Sequence, residues 1–330
     1  MHRILRHAGT ALLAAATGMT ILSGCGSDDD VLRKPDGQPI STSTTRVAEV
    51  NLVNPDRNLA KTCLAPTAPD TRRADVNRIV VTDPALLDSI CALGIGNKVV
   101  AVAAAPGSIP AYLGPQLAQV PALGADPSAA DAAKANADIV LTTPSTAKAG
   151  AAFGQVRSAS IEAGDWEDTF RAVGAALGRP MTADRLLREF RAEAAATGKR
   201  MDAAHSQVSL VRFGPDTETI AGTKSFAGQI LGLVGAQRPQ HQRSAGPTRI
   251  TEENFTAADG DLIYVSFEPD GLDHGKSVLL SDRWLDMGAP TWKRVLAVDD
   301  EIWYRSSGLA AAWLVLNDMK NSLNGNSAEY

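Results

Sequence analysis

The sequence predicts an α/β protein of two lobes joined by one long helical segment. Between Arg78 and Glu162, short β-rich runs (RIVVTD, NKVVAVA, ADIVLTT, SASIE) alternate with helix-like stretches, the pattern of β-α-β units around a parallel sheet. From Asp165 to Ala204 no strand signal occurs, and Trp166, Phe170, Val173 and Leu177 recur at helical spacing. Beyond that stretch the alternation returns in QVSLVRF, DLIYVSF and EIWY, each followed by a helical pattern. No internal repeat is detectable by identity.

At the N-terminus, Arg3 and Arg6 precede a mostly apolar stretch from Ala8 to Leu22. That stretch is shorter than the roughly 20 residues a bilayer span needs, so residues 1–24 read as a secretory signal peptide. Leu22-Ser23-Gly24-Cys25 resembles the bacterial lipoprotein box. The resemblance implies cleavage before Cys25 and acylation of its sulfur, which anchors the chain in the cell membrane on the extracytoplasmic side. An ordinary secreted protein with an incidental Cys25 is the plainer alternative. Removing residues 1–24 takes away two arginines and no acid, so the formal charge of −5 becomes −7. An acidic chain without a basic run argues against nucleic acid as a partner. Residues 25–46 are polar, rich in Ser, Thr, Asp and Pro, and read as a lipidated flexible tether reaching about 25 Å.

Two cysteines remain, Cys63 and Cys91. Outside the cytoplasm they are candidates for a disulfide, with two buried thiols as the alternative. Neither CxxC nor Cys/His spacing supports a metal site. The body divides into an N-terminal lobe (47–166), an inter-lobe helical segment (167–204) and a C-terminal lobe (205–330). In the first lobe, Pro84 to Leu93 reads as a helix with Pro at its start, closed by Gly94 and Gly96. Helices are also expected at Ser128–Ala135 and Thr146–Val156. In the linking segment a helix capped by Thr182 follows the break at Gly178-Arg179-Pro180. The second lobe carries helices at Ser225–Val234 and Leu309–Met319.

These pieces together resemble a known family. RIVVTDPALLDSICALGIGNKVVAV, ADIVLT, KSFAGQILGLVGAQRP and VLAVDDEIWYRSSG are similar in order and spacing to the substrate-binding lipoproteins of ATP-driven iron–siderophore, haem and cobalamin uptake. The chain is most like the ferric-citrate-type binding lipoproteins of mycobacteria. The resemblance covers Arg78 to Met319. It implies two Rossmann-like lobes on one rigid helix, the class III periplasmic-binding-protein arrangement with small hinge motion. It further implies a monomer that captures a small-molecule iron chelate for an ABC permease, and no enzyme.

The ligand reading rests on chemistry. Bare ferric ion prefers phenolate and carboxylate oxygens, yet Tyr112, Tyr264, Tyr304 and Tyr330 are nowhere adjacent, and His205, His241 and His274 lack metal-binding spacing. No metal is therefore held directly and no cofactor permanently. The iron arrives wrapped in an organic chelator, a ferric siderophore or haem, which aromatic walls and arginine forks would hold. Ligands of open α/β sheets sit at the carboxyl ends of strands. That rule selects Thr82, Tyr112, Ser145 and Trp166 in the first lobe, and Arg212, Phe213, Glu268, Tyr304 and Arg305 in the second. The plainer readings are core packing for Trp166 and a salt bridge for Arg212 or Arg305. Trp303 is expected inward on a strand, and Trp284, Trp292 and Trp313 as packing residues.

Enzymatic patterns fail on inspection. GLDHGKS at 271–277 is one residue short of a phosphate loop, and GTKSFAG lacks the spacing of a nucleophile elbow. Glu162 and Asp165 have the look of solvated loop acids. The second hypothesis is a non-transport interaction protein of the cell envelope. Transport members of the family carry one docking glutamate per lobe. Glu253 matches in the second lobe, but in the first the matching position is Ala130, with Asp131 beside it.

Overall fold

The computed structural model describes residues 46–70, 75–162 and 164–323; the signal segment, Cys25 and nearly all of the tether lie outside the described residues. The described chain opens with a short antiparallel pair, β1 (Arg46–Val47) and β2 (Val50–Leu52). The first lobe follows as β3 (Ile79–Val81), α1 (Leu86–Ala92), β4 (Val99–Val102), α2 (Pro115–Ala118), α3 (Ala129–Ala135), β5 (Ile139–Thr142), α4 (Ala147–Ala151) and β6 (Ser158–Ser160). Its four strands are all parallel, in the order β4-β3-β5-β6. β3 and β5 are buried along their whole length, which is why they read as continuous apolar runs. Small residues of α3 and α4 (Ala132, Ala135, Ala149) pack closely on Val80 and Val140 of the sheet.

Two helices then run in succession, α5 (Trp166–Ala176) and α6 (Pro180–Arg200). The second lobe comprises β7 (Val208–Phe213), β8 (Glu218–Ile220), α7 (Phe226–Val234), β9 (Thr248–Arg249), β10 (Leu262–Phe267), α8 (Leu272–Leu279), α9 (Asp282–Leu285), α10 (Gly288–Thr291), β11 (Val295–Ala297) and α11 (Leu309–Ser322). Its sheet runs β1-β2-β11-β10-β7-β8-β9. β7, β10, β11 and β2 are parallel, while β8, β9 and β1 are antiparallel to their neighbours.

Four local expectations change. Residues 47–53, read as part of the first lobe, belong to the second lobe's sheet. Asn51 lies opposite Leu296, and the Val53 N–H bonds the Ala297 carbonyl at 2.9 Å. β11 would otherwise be an edge with open backbone groups, and β2 covers it. The run EIWY is not a strand but a π-helical turn, Glu301–Arg305. Asp299 coils the chain there, accepting from the Ile302 N–H through Oδ1 (3.1 Å) and from the Trp303 N–H through its carbonyl (3.0 Å). Thr182 is not the cap of α6, which starts at Pro180. Its N–H and hydroxyl instead donate to the Asp70 carboxylate (2.8 and 2.7 Å), a cap supplied from far along the chain. Burial pushes the Asp70 carboxyl up, but these bonds outweigh it and hold it below its ordinary value. Lastly Trp292 is 78% exposed and packs on little, whereas Trp284 is buried.

α6 extends about 30 Å at 1.5 Å per residue. It packs on α5, α7 and α11, and it meets α7 closely. A Cβ at Gly198 would lie 1.7 Å from the Val234 carbonyl oxygen, so only glycine permits that approach. The largest apolar cluster is shared by both lobes: Leu87 and Ile90 of α1, Phe170 of α5, Phe190 of α6, Leu231 of α7 and Leu316 of α11. Cys63 and Cys91 are bonded to each other, with Cα atoms 4.5 Å apart, tying the loop before β3 to α1.

Within that shared core lies a fully buried carboxylate. Asp88 of α1 accepts from the backbone N–H groups of Ala310 and Ala311, each at 2.9 Å, and from the Tyr112 hydroxyl at 2.8 Å. A first-lobe acid thus satisfies the open N–H groups at the start of α11. Gly308 just before that helix has φ +157°, and a Cβ there would sit 2.1 Å from an Asp88 oxygen. Burial pushes Asp88 up from its ordinary value, against the pull of the two N–H donors and the phenol. Burial and the neighbouring acid push the Tyr112 phenol up as well, so it stays a donor.

Asp88→Ala leaves three donors without a partner, and unfolding in urea should show a loss of about 3 kcal/mol. A loss below about 1 kcal/mol would mean that the carboxylate does not hold α11.

Candidate ligand-binding site

β7 and β10 lie side by side in the second lobe, Arg212 opposite Ser266 and Phe213 opposite Phe267. Their carboxyl ends open onto a cavity of about 530 Å³. Its walls are mostly small and apolar: Ala221, Gly222, Ala245, Gly246 and Pro247. Arg212, Thr219, Lys224, Ser225, Glu268 and Tyr304 supply its polar groups. α7 begins at its margin, where the Ser225 hydroxyl accepts from the Gly228 N–H at 3.1 Å. The positive end of that helix and the exposed Lys224 just before it favour an anionic ligand. A larger concavity of about 740 Å³, beside Ser206, Asp261 and Trp292, lies at the amino ends of the same strands, away from the edge where such sheets bind ligands.

Charge in the cavity is organised around Asp300, which is 9% exposed. Arg212 grips it with two N–H groups, Nε on Oδ1 at 2.7 Å and Nη2 on Oδ2 at 2.9 Å. Arg305 Nε adds a bond at 3.1 Å and Ser266 Oγ one at 3.2 Å. The third arm of Arg212, Nη1, meets Glu268 Oε1 at 3.1 Å. The Tyr304 ring lies 5.3 Å from the guanidinium carbon, within range of a cation–π contact. The bonds to Asp300 outweigh desolvation, so Arg212 holds its proton more tightly than usual. Beneath the cavity, the buried Arg238 donates to the Ala221 carbonyl (2.7 Å) and to Gln242 Oε1 (2.9 Å), and burial pulls its pKa down to about 10.

Of the side chains expected from sequence, the structure gathers Arg212, Glu268 and Tyr304 at the cavity, while Arg305 does not line it but shares Asp300 Oδ2 with Arg212. The others stand elsewhere. Phe213 is fully buried, stacked on Phe267 at 5.5 Å, because β7 is an interior strand covered on both faces. Trp166 is wedged edge-on between Phe190 (5.9 Å) and Phe226 (6.0 Å), and its indole N–H bonds Gln229 at 3.2 Å. Tyr112 is spent on Asp88. Thr82 is buried and bonds the Thr146 hydroxyl at 2.5 Å. Ser145 is exposed and bonds Thr143 at 2.9 Å. Trp303, inward as expected, donates from the π-helical turn to Asp318 at 2.8 Å. Sequence reading missed Lys224, Thr219 and the organising Asp300. Lys224 had a usable signal, since it directly precedes the Ser cap of a helix that follows a strand.

A family model described as periplasmic binding protein matches residues 129–301, just over half of the chain. The chain belongs to the periplasmic binding protein family. Among its relatives is a probable siderophore-binding lipoprotein of Bacillus subtilis, YfiY, 24% identical over 176 residues. That match covers 48% of this chain and spans about half of the relative, 53% of its length. SirA of Staphylococcus aureus shares the fold with a TM-score of 0.60 at 20% identity, over 75% of this chain and 98% of SirA. FhuD2 of the same organism, solved with ferrioxamine B, matches with a TM-score of 0.57 at 18% identity, over 75% of this chain and 98% of FhuD2. The family is one of binding proteins rather than enzymes, and its two-lobed class III fold is the one described above. Among the described residues no helix is long and apolar enough to cross a membrane.

Because Arg212 is both a cavity side chain and the main partner of Asp300, its removal should have two effects. Arg212→Ala should lower unfolding stability by about 2 kcal/mol and weaken binding of an anionic ferric chelate about tenfold. Calorimetric Tm and titration on the same variant check both, and a change in only one would assign the residue a single role.

Proposed function

We propose that this chain captures an anionic ferric siderophore outside the cytoplasm and passes it to an ABC-type permease. The observation that carries this reading is the cavity. It is apolar, cationic at one end through Lys224, Arg212 and the start of α7, and placed at the carboxyl ends of β7 and β10. The fold relatives support it: SirA has been solved with staphyloferrin B and FhuD2 with ferrioxamine B. The chelate is treated as transient cargo and not as a resident cofactor. Tyr112 donates to Asp88 and the Tyr264 hydroxyl is hydrogen-bonded to that of Ser322, and both are buried, so neither is free to serve as a phenolate for bare iron. Haem has less support, since Tyr304 is the one aromatic side chain lining the cavity.

On this reading the chain acts as a monomer held at the membrane by acylated Cys25. Delivery is supported in the second lobe by the exposed Glu253, which accepts from Thr251 Oγ1 at 2.6 Å. In the first lobe Asp131 is engaged with Ser128 at 2.7 Å and Lys134 at 3.0 Å. The alternative of an envelope interaction protein without a permease rests on Ala130, which stands where the family's first-lobe docking glutamate would be.

Titration of the purified protein with ferric citrate, a ferric hydroxamate and haem tests the cargo. Tryptophan emission should be quenched by a ferric chelate, and haem should leave its Soret band unshifted. Silence with every chelate would favour the interaction protein. For the anchor, Cys25→Ser should move the protein from the detergent phase into the medium, and a variant that stays in detergent would refute acylation.

A further inference from the structure

The three arms of Arg212 are held unequally. Two of them grip Asp300, an acid that is 9% exposed and further fixed by Arg305 and Ser266. The third arm, Nη1, meets Glu268 alone at 3.1 Å. The Glu268 side chain is 37% exposed, stands at the end of β10 and lines the cavity, and Arg212 is its one ion-pair partner among the described residues. A part-exposed single-point pair exchanges more readily than a two-point grip on a buried acid. Arg212 is therefore oriented by Asp300 and offers one exchangeable N–H to the cavity.

We propose that Glu268 is an internal competitor for that position and sets the charge preference of the site. Resting on the siderophore reading above, the inference is that an anionic oxygen of the chelate takes the Nη1 position and turns Glu268 out toward solvent. Glu268 then screens ligands by charge. With both acids in place, the charges of Arg212, Arg305, Asp300 and Glu268 cancel, and Lys224 leaves these five side chains with one net positive charge, to which Arg238 beneath the cavity adds. Without the Glu268 charge the net positive charge rises by one. The carboxylate thus moderates affinity for anionic complexes while leaving a neutral one unaffected, a repulsive element of the kind that specificity requires.

The test compares wild type with Glu268→Gln, which keeps shape and removes charge, by isothermal titration calorimetry at low and high salt. Ferric citrate should bind the variant about fivefold more tightly, with the gain shrinking in high salt. A neutral ferric trihydroxamate should bind both proteins equally. Equal or weaker binding of ferric citrate by the variant overturns the proposal, the weaker result making Glu268 a ligand contact in its own right. If wild type binds neither chelate, the siderophore reading fails, and iron-free citrate then tests Glu268 separately. Citrate should raise the Tm of Glu268→Gln more than that of wild type, and an equal rise removes the competition. Glu268→Ala, read in the same way, covers a failure of the glutamine variant to fold.

Discussion

The structure depends on one carboxylate. Asp88 belongs to the first lobe by sequence and strand order, yet its oxygens complete the start of α11, which follows the second lobe's last strand. The open N–H groups of a buried helix start must find acceptors. Here the acceptor lies 222 residues upstream, so α11 is finished only when both lobes are assembled. Burying an acid is unfavourable on its own, and three donors offset that penalty. Loss of the contact would strand the donors in an apolar core. Each lobe is in this sense a condition for the other.

The same principle recurs nearby. Asp70 completes the start of α6 through Thr182. Asp318 of α11, also fully buried, gathers Asn54 (2.6 Å), Arg57 and Trp303, tying the opening loop to the last helix. Asp75 meets both the fully buried Arg179 and Lys98, linking the segment before β3 to the turn between α5 and α6. With the Asp88 bonds to α11 and a common apolar core joining the lobes, their relative movement would have to break buried polar contacts as well as bend α6. The expectation of a stiff two-lobed body therefore rests on more than the helix. A stiff body cannot adjust to a ligand by large closure, so the selectivity of the second-lobe cavity has to come from charges already in position.

Much of the architecture was legible because parallel strands buried on both faces appear as unbroken apolar runs, and because Ser128 and Ser225 mark helix starts that the structure keeps. The site was legible only in outline. The strand-end rule located Arg212 and Glu268, but the partner that organises them, Asp300, lies 88 residues from Arg212, and no local pattern announces such a pairing. Phe213 was misplaced for a related reason. Alternation separates inward from outward positions on a half-exposed strand, and β7 is an interior strand with helices on both sides. EIWY has strand composition, but backbone acceptors from Asp299 decide its conformation, and composition does not encode that. Residues 47–53 pair with a strand more than two hundred positions away, a separation that no windowed reading detects.

The contrast between Asp300 and Glu268 shows how a single arginine can serve both structure and recognition. A guanidinium presents five donors in a rigid plane, so fixing one edge on a buried acid aims the remaining edge without using it. Asp300 supplies that fixing, and because Arg305 shares the load, its charge is more than balanced. Glu268, part-exposed and held at one point, completes the neutral count when no stronger acceptor competes. An arginine with both edges free would attract any anion but would lack a defined direction, and one with both edges buried would recognise nothing. The intermediate arrangement found here suits the binding of an anionic complex in the second-lobe cavity, since the donor geometry exists in advance and, on the proposal above, only one half-buried carboxylate needs to move.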